Sequence, residues 1–106
     1  MSRPSPTPEA VASVIDAIPH GRRNAISRRM LAGAVHLSDR HVRACIEAAR
    51  NDGVLIISDQ DAGGYYIATD PAEIRAQYRI DRARALAILK RLKPMRQYLK
   101  ERGEPL

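Results

Sequence analysis

The chain has no phenylalanine and no tryptophan, and its aromatic residues are four tyrosines, Tyr65, Tyr66, Tyr78 and Tyr98. Its core must therefore be built from Ile, Leu, Val, Met and Ala. The scarcity of stacking side chains also disfavours RNA as a partner. A single cysteine, Cys45, excludes an intrachain disulfide and suits a reducing compartment. No apolar run approaches the roughly 20 residues of a membrane span, and the opening "MSRPSPTP" lacks an apolar signal core. These absences predict a cytoplasmic protein with no membrane partner. Also lacking are a nucleophile–base pairing, a glycine-rich phosphate loop and a carboxylate dyad. His41 and Cys45 stand four apart, a spacing that can hold a metal, but no second ligand pair accompanies them. Cys45 fits better as a small core residue. The sequence thus predicts no enzyme, no metal site and no cofactor.

What is abundant is positive charge, and it is unevenly placed. The 106 residues carry a formal net charge of +6, which favours a polyanionic partner. Residues 20–50 hold seven arginines, Arg22, Arg23, Arg28, Arg29, Arg40, Arg43 and Arg50, against Asp39 and Glu47. Residues 51–74 hold five acids and no Lys or Arg, and from Arg75 onward ten basic residues face three acids. The chain is basic, then acidic, then basic.

Residues 1–7 are Pro/Ser-rich and predict a disordered tail. Thr7 as N-cap and Pro8 at the first helical position open a helix carrying Val11, Val14, Ile15 and Ile18, which Pro19 closes. Ile26 is placed for a short extended stub. Ser27 caps a second helix with Met30, Leu31, Ala34 and Val35, whose interior Gly33 would let a neighbouring helix approach closely. Ser38 caps a third helix, 38–52, with Val42, Cys45, Ile46 and Ala49 on one face and Gly53 at its end. "VLIISD" and "YYIAT", joined across "QDAGG", predict a β-hairpin. Asp70, Pro71 and Glu73 form the N-cap, first residue and capping-box partner of a long helix. The fold class expected is mostly α with a β-hairpin: a winged helix-turn-helix over 8–69, then a C-terminal helix over 70–103, kinked or broken near Pro94.

Ile26-Ser27, Leu31-Ala32, Leu37-Ser38, Arg40, Val42-Arg43, Ile46 and Arg50 form a frame that resembles the helix-turn-helix regulators of bacteria and their phages. "GGYYIATDPAEI" followed by "RARALAILKRLKPM" is similar to small phage- or prophage-encoded winged-helix proteins, over roughly residues 24–98. The resemblance implies a phage DNA-metabolism or regulatory setting. This chain departs from the frame at His36, where the tight turn usually carries Gly. A left-handed backbone is uncomfortable for a residue with a Cβ, so a turn differing by one residue is one expectation here.

The third helix presents Asp39, Arg40, Arg43, Ala44, Glu47 and Arg50 away from its apolar face. In a major groove, Arg40 and Arg43 reach guanine edges or phosphates, and the first-turn amides near Ser38 and Asp39 can meet a phosphate. Arg28 and Arg29 open the preceding helix and are assigned to phosphate contact. The DNA-binding set is therefore Arg28, Arg29, Ser38, Asp39, Arg40, His41, Arg43, Glu47 and Arg50, on double-stranded DNA. The hairpin tip holds Asp59 and Asp61, which would repel phosphate, leaving Gln60 and the Gly63-Gly64 amides for neutral contacts.

Ile74, Tyr78, Asp81, Ala85, Ile88, Leu92, Met95 and Leu99 are spaced alternately by four and three, a heptad seam with one polar position. From 71 to 93 the helix would run about 35 Å. Leu86 and Leu89 widen the apolar face. A homodimer through Ile74, Tyr78, Ala85, Ile88, Leu92 and Met95 is expected, the competing arrangement being a monomer with this seam folded onto the first helix. Arg79, Arg82, Lys90, Arg91 and Lys93 on the opposite side would touch DNA or only keep the helix soluble. The functional expectation is a sequence-specific DNA-binding regulator or replication-region accessory. Its alternative is a non-enzymatic protein-interaction module on the same fold.

Overall fold

The computed structural model describes residues 5–106. In chain order it contains α1 (Pro8–Ala17), a 3-10 turn (Arg22–Asn24), α2 (Arg28–Val35), α3 (Asp39–Asn51), β1 (Ile56–Asp59), β2 (Gly64–Ile67) and α4 (Pro71–Glu101). It is mostly helical, with one antiparallel hairpin and a long last helix. Of the tail expected over residues 1–7, the first four lie outside the described residues. Thr7 is an N-cap, its hydroxyl accepting from the Ala10 N–H at 3.1 Å.

Each early helix begins where a short polar side chain can satisfy an orphan amide. The Ser27 hydroxyl accepts from Met30 N and the Ser38 hydroxyl from His41 N, both at 3.1 Å. Val14 and Ile18 of the α1 segment, Leu31 of α2, and Val42, Cys45, Ile46 and Ala49 of α3 form one buried cluster, which Ile56 and Tyr65 extend under the hairpin. α1 packs on both α2 and α3. The core is aliphatic apart from Cys45 and the Tyr65 ring.

The turn after α2 is made on His36. His36 takes the left-handed conformation itself (φ 56°, ψ 39°), and the Leu37 N–H reaches back to the Ala32 carbonyl at 3.2 Å. The end of α3 repeats this geometry with Gly53 (φ 94°), where Val54 N donates to Ala49 O at 3.0 Å. His36 is the one non-glycine residue with positive φ among those described, at a cost of about 1–2 kcal/mol. The i+5 bond and the pinned Leu37 outweigh it.

Gly33 does not serve a close helix approach. It is exposed, and a Cβ placed there would meet no atom within 4 Å. Gly33→Ala is therefore expected to stabilise the protein by about 0.5–1 kcal/mol, measured as a rise in the thermal midpoint.

In the hairpin, Ile56 pairs with Ile67, Ile57 with Tyr66, Ser58 with Tyr65 and Asp59 with Gly64. The other edge of β2 is also occupied. Ile26 and Tyr65 exchange both backbone hydrogen bonds, at 2.9 and 2.7 Å, and Ile67 N donates to Pro19 O at 2.8 Å. Ile26 is thus the extended stub expected from sequence. Its carbonyl lies so close to Gly64 (φ 141°) that a Cβ there would sit 2.1 Å from the oxygen.

The chain divides between Ile74 and Arg75 into two compact units, with the first turn of α4 in the first unit. That turn carries the capping box: Asp70 Oδ1 accepts from Ala72 N at 2.8 Å, and Glu73 Oε1 accepts from Asp70 N at 3.2 Å. In the second unit α4 is not broken at Pro94, which lies inside a 31-residue helix of about 46 Å. A proline removes its own N–H bond and crowds the carbonyl of Lys90 four residues before it, but the surrounding Ala, Leu, Lys, Arg, Met and Gln are strong helix formers. No residue of α4 is buried. No helix among the described residues is long and apolar enough to cross a membrane.

Candidate nucleic-acid interface

α3 is amphipathic by construction. Its core face is held by Val42, Cys45, Ile46 and Ala49, and Asp39, Arg40, His41, Arg43 and Glu47 are exposed. Arg40, Arg43, Glu47 and Asn51 line a surface concavity together with Ala44 and the chain at Ser5-Pro6. His41 is exposed while Cys45 is fully buried, so this i,i+4 pair does not share a surface. Burial pushes the Cys45 thiol pKa up, as expected of a core cysteine.

The arginines differ in how far they are engaged. Arg28 and Arg43 both bond Asp39: Arg28 Nε donates to Oδ1, and Arg43 Nε lies 3.2 Å from Oδ2. The Tyr65 phenol and then Asp39 hold the Arg28 guanidinium above its ordinary pKa, against the desolvation that would lower it. Arg29 and Arg40 are exposed and make no ion pair among the described residues. Arg50 has a structural task, because its Nε donates to the Ile56 carbonyl at 3.1 Å and ties the end of α3 to β1. Ser38 is likewise occupied in capping.

The hairpin tip is less acidic in effect than its sequence. Asp59 Oδ2 accepts from Arg22 Nε at 3.2 Å, while Oδ1 accepts from the amides of Asp61 and Ala62 at 2.9 and 3.3 Å. The carboxylate is neutralised and organises the turn, leaving Asp61 as the outward acid. The Gly63 amide is not available for contacts either, since it donates to Gln60 O at 3.1 Å. Gln60, Gly63 and Gly64 nevertheless share one concavity with Ser27, Arg28, Ser58 and Tyr65. The start of α2 and the hairpin tip therefore border the same hollow.

Arg22 and Tyr65 were not singled out from sequence. The Arg22 backbone N–H donates to Glu73 Oε2 at 2.9 Å while its side chain holds Asp59. This places Arg22 between the hairpin and the first turn of α4. The nearest signal was the excess of acids in residues 51–74 over a segment without bases, which requires partners from elsewhere.

These contacts have a pH signature. The amides of Thr69, Arg22 and Asp70 lower the Glu73 carboxyl pKa from its ordinary 4.5, outweighing the partial burial that would raise it. At Asp59 desolvation would raise the pKa, but Arg22 and the amides of Ala62 and Asp61 prevail and lower it from 3.8. A carboxylate with a depressed folded pKa contributes stability that is fully present above its unfolded value and is lost as pH falls through the folded one. The melting temperature of the native chain should therefore exceed that of Glu73→Gln above about pH 5, and the gap should narrow as pH falls below the ordinary carboxylate range. A gap independent of pH would contradict this assignment.

No protein-family model, no curated protein and no solved structure matches the chain.

Proposed function

We propose that the chain is a double-stranded DNA-binding winged-helix protein, with α3 in the major groove, α2 crossing the backbone and the β1–β2 hairpin as the wing. The observation that carries this reading is the first half of α3. Arg40 is exposed without an ion pair among the described residues, Arg43 stands one turn further along, and the opposite face of the helix is locked into the core. A rigid helix presenting arginines at its N-terminal end matches the geometry of major-groove readout. The Ile26–Tyr65 pairing and the left-handed turn at His36 support the fold assignment. Specificity in this reading rests on Arg40 and Arg43, with Arg28 and Arg29 on phosphates and Arg50 reassigned to structure. A sequence-specific, non-enzymatic regulator or replication accessory of phage type is the role we infer. α4 would join two copies through the seam of Ile74, Tyr78, Ala85, Ile88, Leu92 and Met95, so that two α3 helices meet two half-sites.

The test is selection from random duplex DNA, followed by salt titration of the native chain, Arg40→Ala and Arg43→Ala. The expected result is an enriched motif, affinity falling steeply with salt, and a loss of about tenfold in base discrimination for each variant. No enrichment, together with binding unchanged by both substitutions, would overturn the proposal. The protein-interaction alternative draws on the uncovered apolar residues of α4. It predicts weak, sequence-independent DNA binding insensitive to Arg40.

A further inference from the structure

Asp39 is one of two acids, with Glu47, on a surface otherwise suited to a polyanion. Close to phosphate it is unfavourable by charge alone, so its presence there needs a reason. Both of its oxygens are engaged, each by an arginine from a different part of the chain. Arg28 comes from the first turn of α2, and Arg43 lies four residues along α3. In both pairs the arginine atom involved is Nε. This detail matters because a guanidinium has two usable edges. Bonding through Nε turns one edge toward the carboxylate and leaves terminal nitrogens directed away from it. The Nη atoms of Arg43 make no hydrogen bond among the described residues. A pair of terminal N–H groups held in one plane is the fork that matches O6 and N7 of guanine.

Resting on the DNA-binding reading above, we propose that Asp39 is a positioning residue that fixes Arg43 as a bidentate reader of a guanine while tethering Arg28 to the same point. The base pair read by Arg43 is then G·C. Arg28, half-buried and lining one hollow with Tyr65 and the hairpin tip, links this reading position to the hairpin and sets the distance between the guanine and the phosphate contacted by α2. An unbuttressed arginine is a flexible cation that favours any phosphate or base acceptor. Held by Asp39, it has lost that freedom before binding, so discrimination costs less ordering on association.

The consequence has an unusual sign. Removing the acid makes the interface more positive by one charge, so affinity for random duplex at low salt should rise. Preference for guanine at one position should fall. A variant that merely damaged the fold would lower both.

The experiment selects from random duplexes with the native chain, Arg43→Lys, Asp39→Ala and Asp39→Asn, and measures binding to the winning site and to its single-position variants. Arg43→Lys keeps the charge but has no fork. Asp39→Asn keeps the shape and guards against a folding defect in the alanine variant, since Ser38 still caps α3. The expected result is that Arg43→Lys and both Asp39 variants flatten the same G·C position by about tenfold and leave other positions intact. Combining Asp39→Ala with Arg43→Lys should add nothing further. If the native chain selects a motif but the Asp39 variants leave every position unchanged, the positioning role is overturned while DNA binding stands. If Asp39→Asn weakens specific and random duplex equally, the residue is structural and the proposal is likewise overturned. If the native chain selects no motif, the DNA-binding reading itself fails, and this inference with it.

Discussion

Gly64→Ala is expected to destabilise the protein by about 3 kcal/mol or more. Two costs combine at this position. The backbone at φ 141° belongs to a region that residues with a Cβ rarely enter, and the added carbon would lie 2.1 Å from the Ile26 carbonyl oxygen and 2.8 Å from the Ser27 Cα. Both neighbours are backbone, so no side chain can rotate away. Relief requires pulling Ile26 from β2, which breaks the reciprocal bonds between Ile26 and Tyr65. For a domain of this size the shift corresponds to a thermal midpoint lowered on the order of 15 °C. Melting curves followed by circular dichroism check it, with Gly33→Ala as a control of opposite sign. A Gly64→Ala midpoint within a few degrees of the native one would contradict the close approach.

Leu92→Lys is expected to convert the proposed dimer to a monomer. In the single chain Leu92 is 39% exposed, Ile88 50% and Met95 57%, and burying each large apolar side chain contributes about 1.5–3 kcal/mol. Placing an ammonium in that seam, twice in a symmetric pair, should weaken association by a hundredfold or more. Mass measurement in solution at matched concentrations reads the outcome, and a native monomer ends the dimer idea. Salt adds a second test. In heptad terms Arg82 and Arg91 belong beside the seam rather than opposite it, together with Arg75, Arg84 and Arg96, so two copies bring arginines together in either orientation. Screening relieves this repulsion, and the dimer should tighten with salt while DNA binding weakens.

Local rules carried the sequence a long way toward the fold. Thr7, Ser27 and Ser38 are caps in the structure because a hydroxyl one residue before an apolar periodic run has an orphan amide within reach. Glu73 closes its capping box for the same reason. His36 showed where a left-handed residue would be needed, and the structure puts the strain on that histidine rather than shifting the turn. At Pro94 the helix runs on unbroken, because the residues around it favour helix strongly enough to absorb one missing N–H. The candidate site was less legible. Arg43 four residues after Asp39 is a visible helical pair, but the Arg28–Asp39, Arg50–Ile56 and Arg22–Asp59 contacts depend on how distant segments meet. Charge pattern distinguishes a basic face from an acidic one. It does not say which arginines are already occupied.

Cys45 has a practical consequence. It is the single thiol of the chain and is wholly enclosed by the α1–α2–α3 core. A thiol reagent reaches it only when that core opens, so the alkylation rate of the native protein clocks the opening of the first unit alone. α4 contributes no thiol to the signal. Because the background is silent, a cysteine introduced on the exposed surface of α4 would accept a probe selectively, allowing the two units to be followed separately in one molecule.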